Sequence, residues 1–227
     1  MQLVRRLCAA GSCIALVSVA ACTDDRVNLV RGPLGPASYE VHVRALEQAG
    51  DQAEEHLATL RVEPRDTGAA FAMRTAEGDT LTAEIQVTPD GSVNLARIRG
   101  GVTSGQELAS LVGQLNPPLP SRPVRLGRRW ARTQRITTKT LAAQLTTTLR
   151  IVRFRRVAST DAAELMGDVA GQLRIRGAVR ELSGRLSGST TINWAVRAGR
   201  MVSAETHLVW ALSDGSRVRL DTSVRPR

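Results

Sequence analysis

One cysteine of this sequence, Cys22, lies in a motif in which the thiol is covalently modified. Cys22 ends the run Val19-Ala20-Ala21-Cys22, which follows the basic pair Arg5-Arg6 and an apolar stretch from Leu7 to Ala21. This order of charged, apolar and small residues is typical of a bacterial lipobox at the end of an export signal. We therefore predict that residues 1–21 are a lipoprotein signal peptide and that Cys22 is acylated.

Two other interpretations of this segment were weighed. A membrane-spanning helix needs roughly 20 apolar residues, and the run here has about 15, which suits the apolar part of a signal peptide better. An ordinary secretory signal cut after an Ala-x-Ala site, with Cys22 left as a free thiol, stays open. A diacylglyceryl group plus an N-acyl chain would anchor the protein firmly, whereas one acyl chain anchors only marginally.

The remaining cysteines constrain how the fold is held together. Cys8 and Cys13 lie inside the predicted signal peptide, and no cysteine follows Cys22. The mature part therefore has no internal disulfide, although an exported protein could form one. A single domain of ~190 residues can bury enough apolar surface to be stable without one.

Other arrangements that could do chemistry are not found in the sequence. His42, His56 and His207 have no metal-ligand spacing, and Gly184-Arg185-Leu186-Ser187-Gly188 does not have the spacing of a nucleophile elbow. The adjacent acids Glu54-Glu55 would point to opposite faces of a strand, so they cannot act as a general acid and base on one bond. We predict no catalytic residues, no metal site and no cofactor, and hence a protein that is not an enzyme.

Alternation of apolar and polar residues dominates after residue 38. Tyr39, Val41 and Val43 alternate with charged residues, which is the period of a strand with one wet face. Pro, Gly and Asp in residues 23–37 instead indicate a flexible tether, so the predicted parts are a lipidated N-terminus with tether over 22–37 and a β domain over 38–227. Further runs of the same kind end in Ile151, Val179, Val196, Leu212 and Val224, with short turns such as Ser213-Asp214-Gly215 between them.

One central segment has a helical period instead. Ser104-Gly105-Gln106-Glu107 has the spacing of a capping box, and the prolines from Pro117 onward would end a helix. The sequence thus predicts a mainly β fold: one large curved antiparallel meandering sheet, a half-open barrel, with one amphipathic helix packed on its concave face. The apolar positions of that helix are Leu108, Leu111, Val112 and Leu115.

A family resemblance rests on the residues that follow. Leu119-Pro120 and then Pro123-Val124-Arg125-Leu126-Gly127-Arg128-Arg129-Trp130 resemble a linker of exported bacterial lipoproteins, in which a proline-flanked turn precedes a Gly and a strand-opening Trp. With the sheet on both sides, the chain resembles half-barrel lipoproteins of the Lol-type carrier group and their mycobacterial lipid-binding relatives. Those proteins usually have an aspartate where this chain has Arg128. The resemblance implies a fold and a lipid ligand but no catalytic residue.

The charge is divided between the two halves of the chain. Residues 23–121 contain 8 Arg against 14 acids, and residues 122–227 contain 20 Arg and 1 Lys against 7 acids, giving −6 and +14. The basic half either faces anionic headgroups or an acidic polymer, or is a solvated face whose arginines partly pair with acids. Export and only 6 aromatic residues argue against a nucleic-acid partner.

The tryptophans suggest where a ligand could lie. Trp194 and Trp210 are either core residues or the wall of a groove that accepts an acyl chain or a lipoprotein. We predict an envelope lipoprotein, outer-membrane bound and facing the periplasm if the cell has two membranes, otherwise on the outer face of the cytoplasmic membrane. The alternative is a structural or interaction lipoprotein with a closed core. The predicted groove is lined by Leu108, Leu111, Val112, Ile192, Trp194 and Trp210.

Overall fold

The computed structural model describes residues 26–32, 37–47, 53–65, 68–75, 80–87, 93–99, 117–137, 141–176 and 181–227. These residues contain thirteen strands. The strands of the first half are β1 (Arg26–Val27), β2 (Ala37–Glu47), β3 (Ala53–Arg65), β4 (Gly68–Thr75), β5 (Thr80–Val87) and β6 (Val93–Arg99). Those of the second half are β7 (Val124–Arg125), β8 (Arg129–Thr137), β9 (Leu141–Val157), β10 (Thr160–Arg176), β11 (Glu181–Ala195), β12 (Arg200–Leu212) and β13 (Arg217–Pro226).

Eleven of these strands form one antiparallel sheet. Its order is β6-β5-β4-β3-β2-β13-β12-β11-β10-β9-β8, so each half of the chain makes a meander and the two meanders join where β2 pairs with β13. The join brings Val41 opposite Val224 and Val43 opposite Thr222. The first and last strands of the domain are therefore neighbours in the middle of the sheet.

The sheet curls strongly. Its two edge strands, β6 and β8, approach to within 8 Å between Cα atoms although nine strands separate them in the sheet order. Glycines on the inner face allow neighbouring strands to approach: a Cβ on Gly188 would lie 1.9 Å from the carbonyl oxygen of His207, and one on Gly171 would lie 2.3 Å from that of Gln144. Any side chain at these positions would force the strands apart.

Tight turns connect the long strands of the second half. Between β9 and β10 the two-residue loop Ala158-Ser159 has φ angles of 46° and 64°, as hairpins with two left-handed residues require. The predicted turn at Ser213-Asp214-Gly215 is confirmed, and Gly215 there and Gly199 in the turn between β11 and β12 both have positive φ. Register shifts lie close to two of these turns, between Glu164 and Leu165 in the β9–β10 pair and between Asn193 and Trp194 in the β11–β12 pair, and each offsets the alternation by one residue.

The predicted fold class is wrong in one component. Within the described ranges every regular element is a strand, so the fold is all-β there and the proposed amphipathic helix is not supported. Residues 104–115, which carry the capping box and the apolar positions, lie outside the described residues. Over the described ranges, no helix is long and apolar enough to cross a bilayer.

Residues 26–32 pack against the domain. Strand β1 pairs antiparallel with β7, Leu29 is 2% exposed, and the backbone N–H of Gly32 donates to the carbonyl of Gly199 at 2.9 Å. Arg31 donates to the carbonyl of Pro117 at 3.1 Å. The tether predicted over 22–37 remains a prediction, because the rest of that segment lies outside the described residues.

Candidate functional site

The inner face of the sheet is largely apolar from β9 to β13. Antiparallel register places Ile151, Leu165 and Ile192 side by side on β9, β10 and β11, and each is at most 2% exposed. The same face continues through Leu208 on β12 and Leu220 on β13. Because side chains alternate along a strand, the polar residues between these positions point to the outer face.

The described groove residues lie on this inner face. Ile192, Trp194 and Trp210 are 2%, 2% and 1% exposed. Trp194 pairs with Met201, and Trp210 lies nine positions further along β12, or roughly 30 Å at the rise of a strand. The two indoles therefore occupy opposite ends of the apolar face. The other predicted groove residues, Leu108, Leu111 and Val112, lie outside the described residues, so the groove as a whole stays a prediction.

The indole N–H groups of these two tryptophans have unsatisfied hydrogen-bonding capacity. Neither Trp194 Nε1 nor Trp210 Nε1 has a hydrogen-bond acceptor among the described residues, although both atoms are buried. Trp130, by contrast, donates its N–H to the carbonyl of Pro118 at 2.8 Å. A buried unpaired donor costs about 1–3 kcal/mol, so two such donors on one apolar face need an explanation.

A polar row crosses the middle of the inner face. Thr190, Thr206 and Thr222 lie opposite one another on β11, β12 and β13. The hydroxyls of Thr190 and Thr206 are 2.9 Å apart, whereas Thr222 Oγ1 is buried with no partner in the described part of the chain. The row divides the apolar face into two halves, each with one of the buried tryptophans.

A tyrosine closes the face at the end near Trp194. The Tyr39 hydroxyl donates to the carbonyl of Met201 at 3.1 Å, which ties β2 to β12. Burial raises the pKa of Tyr39, and the opposing field of Arg200 reduces this shift. The hydroxyl therefore stays protonated and keeps its role as a donor.

Among the described residues, the outer face has one buried carboxylate. Glu164 has a side chain only 7% exposed and accepts from Arg153 at 3.1 Å and from Arg155 at 3.1 Å. Arg155 also donates to Asn193 Oδ1, and the amide of Asn193 donates to Ser203. The cluster crosslinks four neighbouring strands, and the carboxylate of Glu164 is engaged by two guanidinium groups, so we interpret it as structural rather than catalytic.

The two histidines whose side chains the structure describes, His42 and His207, have carboxylate partners. His42 Nε2 lies 2.9 Å from Glu40 Oε1, and His207 Nδ1 lies 2.7 Å from Asp221 Oδ1. Burial opposes ionisation of Asp221, but hydrogen bonds from His207 and Arg219 outweigh it, so the pKa of Asp221 lies below its ordinary value. Across the described ranges no group of three or more His, Cys, Asp or Glu side chains could hold a metal ion.

A cleft on the outer face was not predicted from the sequence. It encloses about 700 Å³ where β8 to β12 approach the end of the sheet marked by the turn 213–215. We call this the cleft end. Its polar lining includes Arg135, Gln144, Gln172, Arg174 and Arg185. These side chains alternate along their strands with inner-face residues, and the pairing of β8 to β12 brings them side by side at this end of the sheet.

Comparison with known proteins adds little. No family model matches the chain, and no curated protein matches it. Among solved structures it is similar to a putative outer membrane lipoprotein-sorting protein domain from Vibrio parahaemolyticus, at 8% sequence identity over 84% of this chain and 86% of that chain, with a TM-score of 0.26. That description agrees with the resemblance predicted from the sequence, but a likeness at this TM-score carries no argument. The function has to be argued from this chain's own residues.

Proposed function

We propose that the protein is an exported lipoprotein, anchored through Cys22 in the cell envelope, whose inner sheet face accommodates a hydrophobic ligand such as an acyl chain. The proposal includes no catalytic step and no cofactor. The single observation that carries the ligand is the pair of buried indoles, Trp194 and Trp210, whose N–H groups have no acceptor among the described residues. The lipobox ending in Cys22 carries the anchor.

An acyl ligand would suit both the apolar surface of the inner face and its indole N–H groups that have no acceptor among the described residues. Its hydrocarbon chain buries apolar surface, which is favourable at about 25 cal/mol per Å². Its ester or amide carbonyl can accept a hydrogen bond from an indole N–H. Because the two tryptophans lie roughly 30 Å apart along β12, one carbonyl can reach only one of them.

A second function is favoured by a different observation. Ile192, Trp194 and Trp210 are almost fully buried, at 2%, 2% and 1% exposed, which suits a closed core. In that case the protein is a structural or interaction lipoprotein that contacts its partner through its outer surface. The two functions differ in whether a ligand can reach the indoles.

Fluorescence quenching by brominated fatty acid separates these functions, because bromine quenches only indoles that it contacts. We expect quenching of the full protein, and we expect it to persist in Trp130→Phe, which leaves both inner indoles in place. Trp194→Phe or Trp210→Phe should remove most of it, depending on which indole lies beside the ligand. If the wild-type protein shows no quenching, the inner face is closed and the second function holds.

The anchor has a separate test. Wild-type protein expressed in a bacterium should incorporate a palmitate analogue and fractionate with membranes, whereas Cys22→Ser should do neither. A substituted protein that still incorporates the analogue would contradict lipidation at Cys22. Loss of the label with retained membrane binding would instead indicate an uncleaved apolar segment.

A further inference from the structure

The end of the sheet opposite the cleft is rich in arginines that have no acidic partner. We call it the entry end: it comprises residues 26–32, the 117–128 segment, and the turns 158–159 and 196–199. Its exposed arginines without an ion pair among the described residues are Arg122, Arg125, Arg128, Arg156 and Arg197. Glu164, the buried acid nearby, is already engaged by Arg153 and Arg155. Asp161 is an exposed acid that lies opposite Arg156 in the β9–β10 ladder without forming an ion pair with it among the described residues.

Large apolar side chains are exposed among these arginines. Val30 is 56% exposed, Leu126 54% and Phe154 50%. Leu126 lies between Arg125 and Arg128, and Phe154 lies two residues before Arg156. An exposed aliphatic or aromatic side chain beside unpaired cations is the combination that enters the boundary between headgroups and acyl chains of an anionic bilayer.

Backbone hydrogen bonds hold these segments together as one surface. The N–H of Gly127 donates to the carbonyl of Ile151 at 2.8 Å, which fixes the 125–128 turn beside β9. The N–H of Gly32 donates to Gly199 at 2.9 Å, which fixes residues 30–32 on the turn after β11. Strands β1 and β7 pair with each other and join the two parts.

We infer that the entry end docks on a phospholipid surface with anionic headgroups. Arginines bind the phosphates, and Val30, Leu126 and Phe154 insert between the headgroups. The inference rests on the proposed function in one respect: Cys22 precedes β1 by four residues, so a lipid on that cysteine lies within about 14 Å of this surface along the chain. Lipid and cations would then act as two weak signals that together give stable binding.

The test uses vesicle binding by the full chain carrying Cys22→Ser, so that acylation cannot contribute. Vesicles of phosphatidylcholine alone are compared with vesicles that also contain phosphatidylglycerol, and the measured quantity is the ratio of the two partition coefficients. The leader, which contains Arg5 and Arg6, is the same in the parent and in every variant, so its contribution cancels when the ratio of a variant is compared with that of the parent. Each arginine at an anionic surface adds about fivefold, so the variant Arg125→Gln, Arg128→Gln, Arg156→Gln should lower the ratio by roughly tenfold or more.

A matched control removes the same charge from the other end. The variant Arg135→Gln, Arg174→Gln, Arg185→Gln changes three exposed arginines of the cleft and should leave the ratio within about twofold of the parent. The apolar contribution is tested with Leu126→Ser and Phe154→Ser, against Val209→Ser as an exposed control of the outer face. The first two should weaken binding to anionic vesicles, and the third should not.

Four results would overturn the inference. Equal losses in both arginine variants would mean that only net charge matters, and a loss in the cleft variant alone would move the lipid contact to the cleft. Equal binding of the parent to both vesicle types would remove the anionic partner. Displacement by inorganic phosphate, at matched ionic strength, would indicate a soluble phosphate ligand. None of these results depends on acylation, which the palmitate label tests separately.

Discussion

Exposed arginines occur at both ends of the sheet, but their neighbouring residues differ. At the entry end, Arg125, Arg128 and Arg156 alternate with the exposed apolar side chains of Leu126 and Phe154. At the cleft end, the neighbours of the arginines are amides and hydroxyls, among them Gln144, Gln172 and Ser183, and the surface is concave. The guanidinium groups therefore have apolar neighbours at the entry end, which suits contact with an anionic membrane, and polar neighbours at the cleft end.

The difference shows why the charge of the basic half does not identify a partner by itself. The net charge of residues 122–227 is +14, but its arginines lie in different settings, three of which bear on a partner. Some, such as Arg153 and Arg155, neutralise a buried acid. Others line a polar cleft, and a third group lies beside exposed apolar residues. Only the third setting combines the two contributions that favour membrane binding.

The largest expected effect on the free energy of unfolding comes from a glycine at which β9 and β10 approach closely near the cleft end. At Gly171 a Cβ would lie 2.3 Å from the carbonyl oxygen of Gln144, a residue that lines the cleft. Gly171→Ala should therefore push β9 from β10 and lower the free energy of unfolding by about 3 kcal/mol, as overpacking does. Urea unfolding of the purified protein measures this loss.

The matched variant at the entry end is Gly127→Ala. A Cβ there meets nothing within 4 Å, but φ is +77°, so only the left-handed backbone is strained, at about 1–2 kcal/mol. If Gly171→Ala were no more destabilising than Gly127→Ala, the close approach of β9 and β10 at the cleft end would not be required by the fold.

The inner face was largely predictable from the sequence. Alternation placed Tyr39, Val41 and Val43 on one face of their strand, and all three are buried, because one face of each strand must leave water. Pairing of β2 with β13 was not predictable, since both strands are amphipathic and local pattern does not choose a distant partner. The β9–β10 turn was also missed, because Ala158-Ser159 lacks the Asn-Gly signal usual in such hairpins.

The candidate surfaces were less accessible to sequence reasoning than the sheet. Ile192, Trp194 and Trp210 were placed correctly on the apolar face, but the separation of the two tryptophans depends on register. The cleft and the entry end required the curl of the sheet and the contacts of residues 26–32. Arg135 and Arg125 look alike in the sequence, as exposed arginines in or next to strands, and only the fold assigns them to opposite ends.

The smallest expected effect on stability comes from an ion-paired carboxylate, Asp221, on the outer face between the two ends. Asp221 Oδ1 lies 2.7 Å from His207 Nδ1, and Asp221 Oδ2 lies 3.1 Å from Arg219 Nε. Burial opposes ionisation of Asp221, but these contacts outweigh it and lower its pKa. A carboxyl whose pKa is lower in the folded state stabilises the protein above the ordinary aspartate value, about 3.9, and this contribution is lost as pH falls through the lowered pKa.

We therefore expect Asp221→Asn to lower the melting temperature slightly at neutral pH and to have progressively less effect as the solution is acidified below the ordinary aspartate pKa. Thermal melts of the wild type and the variant across that range measure the difference. A matched substitution, Asp168→Asn, removes an exposed acid of the same face that has no ion pair among the described residues, and its effect should be smaller at every pH. If the two variants behaved alike, Asp221 would not be held by its partners, and the middle of the outer face would be no better paired than the arginine-rich ends.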